Sequence, residues 1–134
     1  MIVELVEKSR LPAIYGYREF VEAGGLLAAG VDPTGIGGAL AGYGDQRNYE
    51  LFIEAGFAPE QAIKIMTANG AKILGVQRQL GTVERGKLAD LVVLRGDLAS
   101  DPTVIRNPTV VFKDGIGYDS AKLIESVRGT AGSR

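Results

Sequence analysis

Apolar positions in the first 32 residues alternate between helical spacing and short uninterrupted runs. Helical spacing at residues 2–9 and 17–23 flanks a brief β-favouring run at residues 13–15. Residues 26–31 are then apolar throughout, which is typical of a strand that is covered on both faces. The pattern predicts a short parallel β-α-β unit within residues 1–32.

The sequence pattern in the middle of the chain predicts a loop followed by a pair of helices. Residues 34–44 hold five glycines and no strong periodicity, so we expect a loop there. Asp45 is the predicted N-cap of the first helix, and Tyr49, Phe52 and Ile53 share one face of it. The second helix begins near Pro59 and ends at Gly75. Its predicted inward positions follow three-four spacing: Ala62, Ile63, Met66, Gly70, Ile73 and Leu74.

The last third of the chain has β character and ends in a helix. Residues 88–94 form an apolar run interrupted by Asp90, and residues 109–112 and 116–118 flank Asp114-Gly115, a pair that suits a tight hairpin turn. Asp119 or Ser120 is expected to cap a final helix. The predicted inward positions of that helix are Leu123, Ile124 and Val127.

Length and composition favour one soluble α/β domain. The chain has 134 residues, of which 46% are hydrophobic and 23% charged, as in ordinary globular proteins. We predict a single domain over residues 1–134. Its parts are the β-α-β unit of residues 1–32, the loop and helical pair of residues 33–80, and the β-hairpin region with a terminal helix of residues 81–134.

The charge pattern argues against nucleic acid and membrane as partners. Fifteen Lys and Arg residues balance sixteen Asp and Glu residues, and no basic stripe forms. No apolar run reaches the roughly 20 residues that span a bilayer, and charged residues near the N-terminus are unlike a signal peptide. We therefore expect a cytoplasmic protein.

The absence of cysteine and histidine excludes several kinds of catalytic and metal-binding site. The sequence contains no Cys and no His, so it lacks thiolate nucleophiles, the commonest metal ligand and the commonest general base. We expect no cofactor and no resident metal in this chain. No small-molecule ligand can be identified from its residues.

Residues 24–129 resemble the C-terminal portion of the amidohydrolase superfamily, in the branch of imidazolonepropionases and metal-dependent prolidase-like enzymes. In that family, the segment matched by residues 81–92 leads from the barrel into a small β-sandwich. The resemblance implies the end of a (β/α)8 barrel plus part of that sandwich. It rests on four segments: residues 29–35 (AGVDPTG), 44–50 (GDQRNYE), 68–71 (ANGA) and 81–92 (GTVERGKLADLV).

The resemblance implies a role for Asp32. In such enzymes histidines and carboxylates hold one or two divalent metals, such as zinc, and an aspartate after the eighth strand contacts the metal and accepts the proton of the attacking water. Asp32 matches that aspartate. A zinc site needs three or four donors, and this sequence supplies no His beside it.

Residues 11–26 resemble a different class, the substrate-binding proteins of ABC transporters. Over residues 19–30, where the two resemblances meet, either family could supply the residues, which indicates a chimeric or artificial sequence. A binding cleft of that class needs two lobes, and the segment is less than half of one.

We interpret the chain as a folded amidohydrolase-like fragment or artificial protein without catalytic function in isolation, and we expect homo-oligomers because parallel strand edges would be left open. Two alternatives stay open. One is a metal-dependent hydrolase of amide or dipeptide bonds that uses Asp32, with Asp45, Asp90 or a symmetry mate as further ligands. The other is a small-molecule binding module. Arg47 is either an anchor for a substrate carboxylate or part of an ion pair on the helix surface.

Overall fold

The computed structural model describes residues 26–31 and 42–130, in which helices precede a small antiparallel sheet. Helix α1 is followed by a long helix that runs as α2, a π-helical segment and α3 without a break. The sheet strands come next, and a helix closes the described part. The bounds are α1 Tyr43–Glu54, α2 Pro59–Lys64, the π-helical segment Ile65–Asn69, α3 Gly70–Ile73, β1 Leu91–Leu94, a 3-10 helix Pro102–Arg106, β2 Pro108–Lys113, β3 Ile116–Asp119 and α4 Ser120–Ser126.

The buried core lies between α1 and the long helix. Tyr49 and Phe52 of α1 pack there with Phe57, and the Phe52 and Phe57 rings meet edge to face with centroids 5.5 Å apart. Leu98 and Ile105, from the connection between β1 and β2, pack against this core from outside. The predicted helical pair is thereby confirmed, and the connection joins it to the sheet.

The inward face predicted for the long helix is partly wrong. Ala62 is buried and Met66 half-buried, as expected, but Leu74 is 76% exposed, and Ile63 and Ile73 also face outward. A π-helical turn holds more residues than an α-helical turn, so it rotates every later position relative to regular three-four spacing. The observed core face instead includes Ile65, a position that the periodicity did not select.

The three strands form an antiparallel sheet in the order β1-β2-β3. Asp114 and Gly115 take positive φ angles of 51° and 80° between β2 and β3, which confirms the predicted hairpin. Strand β1 begins at Leu91, later than the predicted run of residues 88–94. In place of extending the strand, Asp90 accepts hydrogen bonds from the hairpin turn.

The strand predicted at residues 26–31 is not present as a strand. No residue of this segment belongs to a helix or strand, because within residues 26–31 and 42–130 no neighbouring strand pairs with it. Leu27 and Ala29 still pack against the core. The rest of the predicted parallel unit, residues 1–25, lies outside the described residues.

One predicted helix cap is confirmed, whereas the other cap and the inward face of the last helix differ from the sequence predictions. Asp119 caps α4 by accepting a hydrogen bond from the Lys122 amide at 3.0 Å, as predicted. Helix α1, however, begins at Tyr43, so Asp45 lies in its first turn rather than at the cap. The predicted inward face of α4 is wrong, because Leu123, Ile124 and Val127 are all more than half exposed.

Candidate functional site

The candidate site is Asp32, as predicted from the sequence, and the structure describes the chain that leads to it as far as Val31. Asp32 and the glycine-rich loop as far as residue 41 lie outside the described residues. The segment of residues 26–31, which we call the approach segment, is described on one side of this gap, and Gly42 on the other. The contacts of the approach segment are therefore the described contacts that immediately precede Asp32 in the sequence.

Asn69 fixes the start of the approach segment. It is the last residue of the π-helical segment, its side chain is buried with 7% of the residue exposed, and its Nδ2 donates a 2.7 Å hydrogen bond to the Leu27 carbonyl. A buried carbonyl without a partner is costly, so this bond stabilises the segment at one position against the helix. A regular strand would have used the backbone of a neighbouring strand for the same purpose.

Two residues near the start of α1 hold the end of the approach segment. Asn48 Nδ2 donates a 3.3 Å hydrogen bond to the Gly30 carbonyl. A Cβ atom at Gly44 would lie 2.5 Å from Cγ1 of Val31, a separation that side chains do not tolerate. Glycine is therefore required at position 44 for helix α1 to approach Val31 this closely.

A buried carboxylate, Glu50, joins α1 to the 3-10 helix. Arg106 donates to both of its oxygens, from Nε at 2.5 Å and from NH2 at 2.6 Å, and Arg47 donates at 3.0 Å. Only 5% of Glu50 is exposed. The hydrogen bonds from Arg106, and then those from Arg47, hold the pKa of Glu50 below its ordinary value despite burial.

Arg47 belongs to this ion-pair cluster. Besides Glu50, it donates two hydrogen bonds to Glu54, at 2.6 and 3.0 Å, along the surface of α1. The Glu54 and Glu50 carboxylates raise the pKa of Arg47 further above its already high value. Of the two interpretations from sequence, the ion pair on the helix surface is the one that the described contacts support.

Asp90 has a structural position at the hairpin. Its Oδ1 accepts from the Asp114 amide at 2.7 Å and its Oδ2 accepts from Lys113 Nζ at 2.8 Å. The amide, followed by the lysine, lowers the pKa of the Asp90 carboxyl group. The expectation that this carboxylate is hydrogen-bonded is confirmed, and both oxygens are already engaged within the sheet.

The donors present do not fit the metal centre of the family that the sequence resembles. The sequence has no His or Cys. Within residues 26–31 and 42–130, no group of three or more Asp and Glu side chains is placed to share an ion. Divalent zinc in proteins takes three or four protein donors, of which Asp32 would be one.

None of the helices within residues 26–31 and 42–130 is long and apolar enough to cross a bilayer.

The resemblance was based on the segments that contain Asn48, Gly44 and Asn69, but the contacts of these residues with the approach segment were not predicted. Asn48 and Gly44 lie in the segment GDQRNYE and Asn69 lies in ANGA, both quoted for the resemblance. A polar amide on the inward face of a helix was an available signal for Asn69. No local signal joins Glu50 to Arg106, because the two residues are 56 positions apart.

Comparison with known proteins identifies related sequences for most of the described part. A family model described as the amidohydrolase family matches residues 26–116. Adenine deaminase from Paracoccus denitrificans (strain Pd 1222) is 40% identical over 65 residues, which are 47% of this chain and 11% of the deaminase.

Solved structures show the same fold relationship. A Xaa-Pro dipeptidase with bound methionine is 31% identical with a TM-score of 0.67, over 81% of this chain and 26% of that protein. A prolidase from Bifidobacterium longum is 36% identical with a TM-score of 0.70, over 79% of this chain and 26% of that protein. Molinate hydrolase is 28% identical with a TM-score of 0.65, over 91% and 29%. The chain thus spans between a quarter and a third of the length of these structures.

Proposed function

The chain belongs to the amidohydrolase family, and we propose that it supplies the carboxyl-terminal part of that architecture without being a hydrolase on its own. In this proposal residues 26–80 correspond to the end of a (β/α)8 barrel, and the β1-β2-β3 sheet to part of a β-sandwich. The observation that carries the proposal is the donor chemistry. A family member that hydrolyses amides needs a metal held by several side chains, and this sequence contains no His and no Cys.

The proposal gives the described residues a definite task, which is to place Asp32. Asn69, Asn48 and Gly44 fix the approach segment at Leu27, Gly30 and Val31 respectively. When a divalent metal is bound in a complete member of the family, it acidifies the attacking water. Asp32 would accept the proton of that water, and its reach would depend on the three positioning contacts.

Hydrolysis assays test whether the chain is inactive by itself. The purified chain would be incubated with zinc or manganese and with Xaa-Pro dipeptides or simple amides, beside metal-only blanks. We expect no turnover above the blanks. Turnover that disappears in Asp32→Asn but persists in Asp114→Asn, an exposed carboxylate in the hairpin turn, would overturn the proposal.

A second candidate function is the hydrolysis of amide or dipeptide bonds by this chain itself. It is favoured by the dipeptidase and the prolidase among the similar structures. Under this candidate Asp32 is the acid-base residue, and Asp45, Asp90 or a second copy of the chain supplies the further metal ligands. The same assay separates the two candidates, since an active chain would have to recruit ligands such as Asp45 or a second copy.

The origin of residues 1–25 is a separate part of the proposal. The family match begins at residue 26, directly after the segment that resembles substrate-binding proteins of ABC transporters. We infer a join between two sources near this point. Unfolding of a variant that lacks residues 1–25 checks it: a stability close to that of the whole chain supports the join, and complete loss of folding opposes it.

Self-association is the remaining part of the proposal. Strands β1 and β3 are the edges of the sheet, and Val92 and Ile116 on these edges are mostly exposed. Open strand edges with apolar side chains favour pairing with another chain. We therefore propose a homodimer or a higher oligomer, and light scattering that finds a monomer at high concentration would contradict it.

A further inference from the structure

A cavity of about 460 Å³ lies beside the long helix, away from the sheet. Its walls come from the long helix, from the loop of residues 77–87 and from Leu26 at the start of the approach segment. Its volume is within the range of pockets that hold small organic molecules. The cavity shares Leu26 and Asn69 with the contacts of the approach segment, and its other described lining residues make none of those contacts.

The cavity is lined by cations without matching acids. Lys64, Lys72 and Lys87 contribute to its walls, and its described lining residues include no Asp, Glu or Arg. Lys87 is held in place, because its side chain is only 13% exposed, its Nζ donates to Thr82 Oγ1, and Glu84 lies 3.4 Å away. Lys64 and Lys72 make no hydrogen bond or ion pair with any residue of the described ranges. Three lysines against one nearby glutamate leave two positive charges unmatched.

The number of unmatched charges indicates the kind of anion. Lysine ammonium groups bind phosphate as point charges, without the planar, bidentate geometry that arginine offers to carboxylate and phosphate alike. A phosphate monoester carries about −1.5 to −2 charges at neutral pH, which matches the unmatched charge of this cavity. Leu26, Ile65 and Leu80 add apolar wall that would cover an organic group on the ester.

We propose that this cavity binds the phosphate monoester of a small organic molecule. Lys64 and Lys72 neutralise the phosphate, Lys87 donates a hydrogen bond to it from a position held by Thr82 and Glu84, and the apolar wall contacts the organic group. The proposed binding uses neither Asp32 nor hydrolysis.

Phenyl phosphate titrated into the isotope-labelled chain, at constant ionic strength, tests the proposal by NMR. We expect saturable shifts of backbone amides confined to Leu26, its sequence neighbours and residues 61–87. The double variant Lys64→Gln, Lys72→Gln should bind at least about tenfold more weakly, since each lost ionic contact is charge-assisted. Lys122→Gln, which removes an exposed lysine of α4 outside the cavity, should bind as the unsubstituted chain does.

Three results would overturn the proposal. They are the absence of saturable shifts, equal affinity in the double variant, and equal affinity for benzoate, which would indicate a general attraction of anions. Glutamine is nearly as good a helix former as lysine, and both substituted side chains are exposed, so the double variant should fold. Circular dichroism of each variant verifies this before titration.

Discussion

The helical part of this chain consists of α1 and the long helix, and the sheet part consists of β1, β2, β3 and α4. The two parts differ in how completely they bury their apolar side chains. In the helical part, Tyr49, Phe52, Phe57 and Ile65 are almost wholly buried against each other. In the sheet part, the comparable residues are open, and Ile124 of α4 is 64% exposed. Opposite residues of antiparallel strands share a face, so Val92, Val111 and Tyr118 form one apolar row.

The difference shows which part of the fold is self-sufficient. The helical part closes a core with its own side chains, two from the approach segment and two from the β1–β2 connection. The sheet part keeps its hairpin by backbone pairing and by Asp90, while much of its apolar surface meets no described residue. Hydrophobic stabilisation scales with the apolar area removed from water, so we expect most of the stability to come from the helical part.

The largest effect is expected when one aromatic residue in each part is replaced by alanine and the two losses of stability are compared. Phe52→Ala should lower the free energy of unfolding by about 3 to 5 kcal/mol, because it leaves a cavity beside Phe57. Tyr118→Ala should cost less than about 1 kcal/mol, since much of that ring is already in water. Urea unfolding of both variants measures the two values, and equal losses would break the comparison.

The next largest effect concerns the contact between the long helix and the approach segment. Asn69→Ala removes the donor to the Leu27 carbonyl and should cost about 1 to 3 kcal/mol. Asn48→Ala, whose bond to Gly30 is longer and more exposed, serves as the matched variant and should cost less. Amide hydrogen exchange of residues 26–31 should accelerate in Asn69→Ala; unchanged exchange would count against the positioning role.

A pH titration sharpens the role of the ion-pair cluster within the helical part. Glu50→Gln should cost on the order of 1 to 2 kcal/mol at neutral pH, because the hydrogen bonds from Arg106 and Arg47 lose charge assistance. The pKa of Glu50 is lowered in the folded chain, so its contribution is complete above the ordinary carboxyl value of 4.5 and is lost as pH falls below it. Urea midpoints of the two proteins should therefore converge in acid. A gap that persists to low pH would assign the loss to packing.

The smallest expected effect is at the junction of β3 and α4. Ser120 is buried, and its Oγ has no hydrogen-bond partner among the described residues. Replacing an unsatisfied buried hydroxyl by a methyl group removes a desolvation cost, so Ser120→Ala should be neutral or slightly stabilising. Thermal unfolding checks this, and a clear loss of stability would mean that the hydroxyl has a partner.

Features set by local residue chemistry could be predicted from the sequence. Asp114-Gly115 specified the hairpin through its tolerance of positive φ, Asp119 specified the cap of α4, and Pro59 marked the start of the long helix. The family was also predictable from its quoted segments. In each case the information lies within a few neighbouring residues.

Features set by distant partners could not be predicted in the same way. Periodicity treated residues 26–31 as a strand, but in the described ranges its carbonyls are met by Asn48 and Asn69 rather than by another strand. Periodicity also placed Leu123 inward, although more than half of that residue is exposed. The π-helical segment altered the helix face, and the Arg106 partner of Glu50 is distant in sequence. For Asp32, the sequence offers a family counterpart whose position stays a prediction.

Metal content after exposure to zinc tests the central claim most directly, because the claim is that this chain lacks the donors for a hydrolytic centre. The chain would be equilibrated with excess zinc, dialysed, and measured for bound metal per polypeptide. We predict far less than one equivalent, unchanged in Asp32→Asn. One retained equivalent that Asp32→Asn removes would contradict the account.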